Sequence, residues 1–416
     1  MLIEFSLSNY RSFRERQTLS MVAASRLHKK ENTFIPIVKG EKLPPLLKLV
    51  AIYGPNASGK SNLIKGLRVI KTIAYRSPNA QSDLPVMPFR FDPLLATQPS
   101  RFEIHFVKDE LRYQFDLAVT RERIVEERLS SFPSGKETLL YERIYDGKVD
   151  DYRFGAKLDG GKVLHNAWRQ LTGPKSLFIS QAVANSSEEL RQLREPFAWL
   201  KAGLMAPDLR SLADSAQSVL QESHNGVEYI TSFLQSLDVP VTRLRFEPLK
   251  VSASISPQNK NELGDSVESD PLSVMKTILT HQTALGEADF DFEEESDGTK
   301  GLIGFWLPWL IIDYEKSFSV LVIDELDSSL HPQIVASLVK KHLAYEKPAQ
   351  LIFSTHDTHL MDTKLLRRDQ FWLTERDANG ATRLRSIYEF EGRESEDLEK
   401  RYYEGRYRGL PIVRQG

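Results

Sequence analysis

One segment of the sequence limits the fold more than any other, the run Gly54-Pro-Asn-Ala-Ser-Gly59-Lys60-Ser61. It fits the pattern G-x-x-x-x-G-K-[ST], which requires a strand before it and a helix after it. Both are predicted, because the run from Leu46 to Tyr53 is apolar and the spacing from Ser61 to about Tyr75 is helical. We therefore expect an α/β fold in which this segment binds phosphate. The alternative is a glycine-rich turn that matches the pattern by chance.

The residue types in this segment suit a nucleoside triphosphate. Gly54 and Gly59 allow backbone N–H groups to curl around phosphates, and the following helix N-terminus adds partial positive charge. Lys60 is expected to reach the β- and γ-phosphates and Ser61 to coordinate Mg²⁺, so ATP and Mg²⁺ are the predicted ligands. The predicted nucleotide contacts here are Gly54, Pro55, Asn56, Ala57, Ser58, Gly59, Lys60, Ser61 and Asn62.

Two acids end a second apolar run, Ser319 to Ile323, as expected of a buried strand that carries carboxylates to its carboxyl edge. Asp324 suits a metal ligand, and Glu325 suits a residue that orients or deprotonates the attacking water. Acids at a strand end are also frequent helix caps, so only their combination with the phosphate-binding segment favours catalysis.

A histidine completes the predicted catalytic set of Lys60, Glu325 and His356. His356 follows the next predicted strand, Ala349 to Ser354. From that position it can contact the γ-phosphate or the attacking water, although a lone histidine at a strand end is more often structural.

Composition excludes several other chemistries. The 416 residues include no cysteine, which excludes disulfides, thiolate metal sites and cysteine nucleophiles and favours the cytoplasm. The net charge of −2 argues against non-specific nucleic-acid binding by the whole molecule. The start lacks a signal-peptide layout, and the longest apolar stretch, Gly301 to Ile312, is short and contains Pro308, so no membrane segment is predicted.

The remaining sequence divides by pattern. Alternating runs between Arg101 and Tyr145 predict an antiparallel β-meander, and residues from Glu188 to about Leu237 have helical spacing. A polar stretch from Val251 to Asp270 follows, and strand–helix–strand spacing returns at Phe318. One lobe is therefore expected to interrupt the other.

These motifs together resemble those of ABC-type ATPases, specifically the SMC-like and OLD-like group, at both ends of the sequence. The resemblance implies an ABC-type P-loop NTPase fold with a mixed sheet, an antiparallel β-meander and an inserted helical lobe. The implied divisions are an N-terminal half of the ATPase domain at 1–184, the helical insertion at 185–285, the C-terminal half at 286–390 and a tail at 391–416.

The same resemblance implies parts that act between two copies of the chain. Asp327 resembles the D-loop residue, and Glu295 to Lys300 resembles the signature motif that grips the γ-phosphate bound to the opposing subunit. A helix N-terminus would supply the attraction, but Asp297 departs from the small or uncharged residue common in the family, and a simple helix cap is the alternative. The implied contacts are Ser296, Gly298 and Thr299.

Two further residues are carried over from the family. Ser176 to Gln181 is predicted as an apolar strand that ends at the junction of the meander and the helical lobe, where the family has its Q-loop glutamine. Gln181 is thus a candidate metal ligand, or an ordinary polar strand end. Arg11, in the opening Asn9-Tyr-Arg-Ser-Phe13, is a candidate nucleotide contact.

Segment lengths narrow the subtype. The insertion is too short for a long coiled coil, and only about sixty residues follow His356, which leaves no room for a fused nuclease. The chain resembles stand-alone ATPases of bacterial anti-phage and abortive-infection systems, including RloA-like proteins and the ATPase subunit of PARIS-type systems. This resemblance implies a homodimer or larger ring, slow regulatory hydrolysis, a phage-derived trigger and a separate toxic effector.

Two other functions are considered. The first is an SMC-like DNA-repair or DNA-clamping ATPase, with DNA as partner. The second makes the chain itself a nuclease, although the ordinary explanation of its acids is a solvated loop. Those acids are Asp289, Asp291, Glu293, Glu294 and Glu295. The tail beyond Arg401, with its tyrosines and arginines, suits either partner or nucleic-acid docking or a segment strapped onto the fold.

Overall fold

The computed structural model describes residues 1–77, 80–207, 209–248, 275–314 and 319–407. It divides into a larger unit, made of the described residues within 1–207 and 311–416, and a smaller unit within 208–310. The polar stretch from Val251 to Asp270 and the end of the tail from Arg408 lie outside the described residues.

The described residues form both strands and α-helices, as the predicted α/β fold requires. The strands are β1 Leu2–Ser8, β2 Gln17–Ser20, β3 Thr33–Phe34, β4 Leu46–Leu47, β5 Leu49–Tyr53, β6 Ser100–Lys108, β7 Leu111–Val119, β8 Ile124–Ser131, β9 Thr138–Tyr145, β10 Asp150–Phe154, β11 Leu204–Met205, β12 Val241–Pro248, β13 Met275–Thr283, β14 Gly286–Asp291, β15 Val320–Ile323, β16 Gln350–Ser354, β17 Phe371–Arg376 and β18 Thr382–Ser386. The α-helices are α1 Lys60–Tyr75, α2 Pro93–Ala96, α3 Gly161–Leu171, α4 Phe178–Ala184, α5 Arg194–Ala198, α6 Leu209–Glu222, α7 His224–Ser236, α8 Asp297–Tyr314, α9 Pro332–Leu343 and α10 Leu398–Tyr403.

An antiparallel sheet in the larger unit has the strand order β10-β9-β8-β7-β6-β1-β2 over the described residues. Along β6, Phe102, Ile104 and Phe106 are buried and alternate with more exposed residues, because successive side chains of a strand point to opposite faces. Buried rings from this sheet join one core with side chains of α1 and of the second sheet. The predicted β-meander is confirmed.

The second sheet of the larger unit carries the candidate site. Its order is β11-β15-β16-β5-β17-β18, parallel throughout except that β18 runs antiparallel to β17. All residues of β5, β15 and β16 are buried, which explains their nearly continuous apolar sequence. The carboxyl ends of these parallel strands lie at one edge, where ligands bind in open α/β sheets.

A buried glutamine joins the two sheets. Gln350 of β16 accepts a hydrogen bond from Leu2 N at 2.7 Å and donates one from Nε2 to Leu2 O at 2.9 Å. Because a buried amide must have its hydrogen bonds satisfied inside the protein, this pairing fixes β1 beside β16.

The smaller unit combines α6, α7 and most of α8 with an antiparallel sheet of order β12-β13-β14 over its described residues. The predicted helical insertion did not include this sheet. The described apolar side chains of α8 in this unit are buried on nearly all sides, so α8 is a core helix.

The described part of the tail packs onto the larger unit. Tyr402 of α10 is buried with its ring centroid 6.4 Å from that of Tyr53, and Thr358 Oγ1 donates to Glu399 at 2.6 Å. Over this part the packing favours the strapped-down alternative. Within the described ranges, none of the helices has both the length and the apolar character needed to cross a membrane.

Candidate nucleotide-binding site

The loop between β5 and α1 adopts a backbone that its glycines permit. Gly54 and Gly59 have φ of 149° and 114°, and Ala57 also lies in the left-handed region. A Cβ on Gly54 would lie 2.4 Å from Thr374 O, and one on Gly59 would lie 2.1 Å from Thr382 Oγ1. The pattern glycines are therefore required both by backbone conformation and by close approach of the β17–β18 hairpin.

Lys60 is the first residue of α1 and its side chain turns back over the loop. Its ammonium donates to Gly54 O at 2.7 Å, and the residue is 6% exposed. Burial lowers the pKa of Lys60, while Asp324, Glu325 and Asp327 oppose that shift. The loop lysine and the acids after β15 thus act on one another electrostatically across the sheet edge.

A serine that the sequence analysis did not single out organises the two acids. Ser354, the last residue of β16, donates from Oγ to Asp324 Oδ1 at 2.6 Å and accepts from Glu325 N at 2.8 Å. Because β16 lies between β15 and β5, this hydroxyl is placed between the acids and the phosphate-binding loop. The signal in the sequence that could have identified Ser354 was the run Ser354-Thr355-His356.

Glu325 and His356 are exposed at the same edge as the loop. Glu325 has φ of 54°, a strained conformation for a residue with a side chain, of the kind that concentrates at functional sites. His356 N donates to Asp327 Oδ2 at 3.0 Å, which joins the segment after β16 to the one after β15. Asp327 Oδ1 is buried and lacks a hydrogen-bond partner among the described residues.

Three hydroxyl side chains from other parts of the chain are hydrogen-bonded to the loop or to the start of α1. We call this set, Ser12, Thr374 and Thr382, the hydroxyl clamp. Thr382 Oγ1 donates to Ser58 O at 2.7 Å and is bonded to Ser12 Oγ, which accepts from Asn62 Nδ2 at 2.9 Å. Thr374 Oγ1 lies 2.5 Å from Ser58 Oγ. Sequence reasoning missed these residues, since no local pattern connects them to the loop.

The predicted strand that ends at Gln181 is wrong. Residues Phe178–Ala184 form the helix α4 instead, because the buried carboxylate of Glu127 accepts hydrogen bonds from Phe178 N at 2.7 Å and Ile179 N at 3.1 Å. Gln181 is buried within α4, and its amide oxygen accepts from Asn185 at 3.0 Å. Its role as a metal ligand remains a prediction.

Arg11 lies next to a member of the hydroxyl clamp. It has φ of 50°, its N–H donates to Met87 O at 2.7 Å, and its Nε donates to Tyr10 OH at 3.1 Å. Its neighbour Ser12 contacts the start of α1 through Asn62. The structure thus brings this opening segment to the loop through Ser12, and a contact of Arg11 with nucleotide remains a prediction.

The predicted signature residues begin α8 in the smaller unit. Ser296 Oγ accepts from Thr299 N at 3.1 Å and is 3.0 Å from Thr299 Oγ1, which is the geometry of a helix cap. Gly298 lies in the first turn of this helix and Asp297 is its first residue. The cap is present, and contact with the nucleotide of a second copy remains a prediction.

The acids considered as a nuclease site are held by separate partners. Asp289 pairs with Arg245 at 2.6 Å, and Asp291 lies 2.5 Å from Lys276. Glu295 is 2.6 Å from His281 Nε2. Across the described ranges no group of three or more His, Cys, Asp or Glu side chains is arranged to hold a metal ion.

Comparison with known proteins identifies the family. The family described as "AAA domain, putative AbiEii toxin, Type IV TA system" matches residues 49–362, from β5 to just beyond His356. This range is about three quarters of the chain. The chain belongs to this AAA-domain family. The α/β P-loop NTPase fold expected from the sequence is thereby confirmed, and the AAA-domain protein is of the ATPase type.

Solved structures similar to the AAA-domain protein include two SMC heads. One is an SmcHead bound to the C-winged helix domain of ScpA, with 14% identity, a TM-score of 0.41, and coverage of 92% of this chain and 97% of that one. The other is the SMC head domain from Thermotoga maritima, with 14% identity, a TM-score of 0.42, and coverage of 92% and 98%. No curated protein sequence matches significantly.

Proposed function

We propose that this AAA-domain protein binds and slowly hydrolyses ATP in composite sites between two copies, and that its nucleotide state controls a separate toxic effector in antiviral defence. The observation that carries the ATPase part is the position of Lys60, buried over the loop and influenced by Asp324, Glu325 and Asp327. A cation that burial alone disfavours is stabilised there by acids on the same edge.

The residues present fit a triphosphate with Mg²⁺. The positive φ of Gly54 and Gly59 lets the loop backbone curl so that its N–H groups can face phosphate, and Lys60 would exchange its bond with Gly54 O for phosphate oxygens. The hydroxyl of Ser61 and the carboxylate of Asp324 are oxygen ligands of the kind Mg²⁺ prefers, with Gln181 a further candidate. When bound, Mg²⁺ would neutralise charge on the β- and γ-phosphates.

The proposed hydrolysis depends on two side chains at the sheet edge. Glu325 would orient the attacking water and take its proton, because its carboxylate is exposed there while Ser354 holds its backbone. His356 would contact the γ-phosphate or that water, and Asp327 positions the His356 backbone. Replacing Glu325 with glutamine removes the base but keeps the shape.

The second copy would complete the pocket with the helix end that Ser296 caps. The first-turn N–H groups of α8 supply partial positive charge that suits a γ-phosphate. In this proposal Gly298 and Thr299 also face the nucleotide of the opposing copy, while the carboxylate of Asp297 points away from it. Ser296 then serves both as cap and as phosphate contact.

The role in defence is supported by the family description, which names a putative toxin of a type IV toxin–antitoxin system. RloA-like and PARIS-type ATPases are the subtype we propose, with a phage product as the trigger. Phage plating on bacteria that carry the gene with its neighbouring reading frames tests this. Wild type should lower plaque number, and Lys60→Ala and Glu325→Gln should each remove that protection; protection that persists in Lys60→Ala would contradict the proposal.

Purified protein separates this role from DNA clamping. ATP turnover of the wild type should be unchanged by duplex DNA, and Glu325→Gln should bind ATP without turning it over. Turnover that rises with DNA and falls steeply with salt would instead support the clamping ATPase. Co-purification with the product of each neighbouring reading frame, with and without ATP, identifies the effector.

A further inference from the structure

The segment that carries His356 is held through its backbone. The imidazole is exposed, and within the described residues it makes no hydrogen bond of its own. Its position is therefore set by the residues on either side of it. On the upstream side, Thr355 N donates to Ile52 O at 3.1 Å, on the strand that leads into the phosphate-binding loop.

Two contacts hold the downstream side of this segment. Tyr53, the last residue of β5, donates from its hydroxyl to Asp357 O at 3.0 Å. Thr358 is 8% exposed and donates from Oγ1 to Glu399 at 2.6 Å. A hydroxyl bound to a carboxylate at this distance makes a strong, charge-assisted hydrogen bond. The two residues that follow His356 are thus fixed from two different elements.

The partner of Thr358 belongs to the short helix α10. Thr358 gives its one hydroxyl hydrogen to Glu399, so Tyr403 OH, 3.0 Å away, is the donor in the second bond to Thr358. Because Glu399, Tyr402 and Tyr403 are spaced i, i+3 and i+4, they share one face of α10. This face contacts Thr358 through two of them and packs against Tyr53 through the third.

Tyr53 connects this helix to the phosphate-binding loop. It is 1% exposed and directly precedes Gly54, the first residue of the loop pattern. The ring of Tyr402 meets its ring edge to face, with 6.4 Å between the centroids. Burial, and then the carboxylates of Asp357 and Asp327, raise the pKa of Tyr53 well above its ordinary value, so its hydroxyl stays a donor. One side chain therefore joins the strand before the loop, the His356 segment and α10.

The helix α10 is itself fixed to the larger unit. Leu398 is fully buried, and Arg401 donates to Glu391 O at 3.2 Å. After the helix, Tyr407 is 2% exposed and its ring packs against that of Phe390 at 5.4 Å. A helix of six residues has little stability of its own in water, so these contacts hold it in place. The family match ends at residue 362, and α10 lies beyond the matched region.

We propose that α10 is a positioning element for His356, with Glu399 acting through Thr358 and Tyr402 acting through Tyr53. The proposal rests on the proposed hydrolysis and adds to it a part that lies outside the motifs. The helix holds the backbone after His356 so that the imidazole reaches the γ-phosphate or the attacking water. Loss of these contacts slows turnover and leaves ATP affinity unchanged, because the contacts of the loop lysine remain.

Steady-state ATPase kinetics and ATP titration of the full chain, with Mg²⁺, test this role. Thr358→Val and Glu399→Ala should each lower kcat about fivefold, since part of the energy of a hydrogen bond to a charged group should appear as slower turnover. The Kd for ATP should stay at the wild-type value. Because both substitutions remove one bond, the double variant should be no slower than the slower single variant. Thr358→Ser keeps the hydroxyl and should retain most of the wild-type kcat.

A His356→Ala background separates positioning of His356 from other effects. His356→Ala should itself be slow, and adding Glu399→Ala should not lower kcat further, because the group that α10 positions is already absent. Thermal unfolding shows which variants are folded at the assay temperature. Glu399 is only partly buried, so Glu399→Ala provides the test if Thr358→Val does not fold.

Ser130→Ala is the matched control, because Ser130 is also buried and also donates to a carboxylate, Glu137 at 2.9 Å, but lies on β8 of the antiparallel sheet. It should keep the wild-type kcat. If Glu399→Ala turns over ATP at the wild-type rate, or slows His356→Ala further, the positioning role is refuted while the proposed ATPase stands. If the wild type does not hydrolyse ATP, or Glu325→Gln hydrolyses it normally, the proposed function fails and this inference fails with it.

Discussion

At the scale of single residues, the hydroxyl of Ser354 has the strongest predicted effect on catalysis outside the motifs. It is bonded to Asp324 Oδ1 and to Glu325 N, so Ser354→Ala frees both acids from their fixed positions. Hydrogen bonds to charged groups contribute about 1.5–3 kcal/mol, and we expect ATP turnover to fall about tenfold or more. ATP affinity should change much less, because the contacts of Lys60 remain.

Steady-state ATPase kinetics measures this loss. Ser6→Ala is the matched control, since Ser6 is also a buried strand serine with a hydroxyl partner, Thr18 at 2.8 Å, but lies in β1. It should keep wild-type turnover. Equal turnover in Ser354→Ala and wild type would show that the acids do not depend on this hydroxyl.

His342 makes stability depend on pH. It is fully buried at the end of α9, and burial lowers its pKa to about 4. In the unfolded chain the histidine has a pKa near 6.5, so between pH 6.5 and pH 4 the unfolded state binds a proton that the folded state does not. The free energy of unfolding is therefore highest above pH 6.5 and falls as the pH is lowered towards 4. The shift corresponds to about 3 kcal/mol lost across that window.

Urea unfolding at several pH values measures this loss. His342→Gln should unfold with a free energy that varies less between pH 6.5 and pH 4 than that of wild type, although it is less stable at neutral pH. The control His28→Gln replaces a side chain that is 89% exposed and should retain the wild-type slope. A slope unchanged in His342→Gln would assign the acid sensitivity to other groups.

At the scale of elements, the hairpin β17–β18 is expected to fix the phosphate-binding loop. Thr382→Val removes the hydroxyl that bonds Ser58 O and Ser12 Oγ but keeps the side-chain shape. Loss of a hydrogen bond and an unsatisfied carbonyl cost about 1–3 kcal/mol, part of which should appear as weaker ATP binding, by about tenfold.

Titration of ATP into each variant checks this effect. Thr18→Val is the control, because Thr18 of β2 also bonds a serine hydroxyl, but that serine is Ser6 of β1 and not a residue of the phosphate-binding loop. It should cost some stability and leave ATP affinity unchanged. Wild-type ATP affinity in Thr382→Val would mean that the loop holds its conformation without the clamp.

The start of α8 allows two explanations of Ser296 to be separated. Ser296→Asp preserves a capping side chain, so the free energy of unfolding should stay within about 0.5 kcal/mol of wild type, whereas Ser296→Ala should cost about 1 kcal/mol. If Ser296 faces the γ-phosphate of a second copy, the added carboxylate should repel it and abolish ATP-dependent association.

Thermal unfolding and sedimentation with ATP give the two measurements. An exposed serine in the same unit, Ser215→Asp on α6, controls for added charge and should associate normally. ATP-dependent association of Ser296→Asp at wild-type strength would leave Ser296 as a helix cap alone.

At the scale of the whole molecule, ATP is expected to join two copies. Each chain carries the phosphate-binding loop and the acids in the larger unit and the Ser296 helix end in the smaller unit. In the proposal, one copy supplies the loop and the acids of a site, and its neighbour supplies the Ser296 helix end. Glu325→Gln should accumulate the ATP-bound dimer because turnover no longer dissolves it. Lys60→Ala should remain monomeric in ATP.

Light scattering after size-exclusion chromatography, with ATP and with ADP, measures this association. The wild type should dimerise transiently in ATP and not in ADP. A Glu325→Gln protein that stays monomeric at saturating ATP would contradict composite sites, while its ATP affinity, measured separately, would still test the single-copy site.

The sequence by itself determined the parts of this protein that short patterns encode. The loop from Gly54 to Ser61, the buried strand before Asp324 and the alternation of the meander follow from local residue order, because backbone period and burial act over a few residues. These predictions placed the acids at the same edge as the loop, where the structure has them.

Only the tertiary structure decided which distant residues complete the site. Thr374 and Thr382 reach Ser58 from more than three hundred residues away, and Ser354 meets Asp324 through the neighbouring strand. Gln181 lies in the helix α4 because Glu127, on strand β8 of the antiparallel sheet, accepts a hydrogen bond from the N-terminus of that helix. Hydrogen bonds between strands and loops far apart in sequence follow no local period, so they become visible only once the chain is folded.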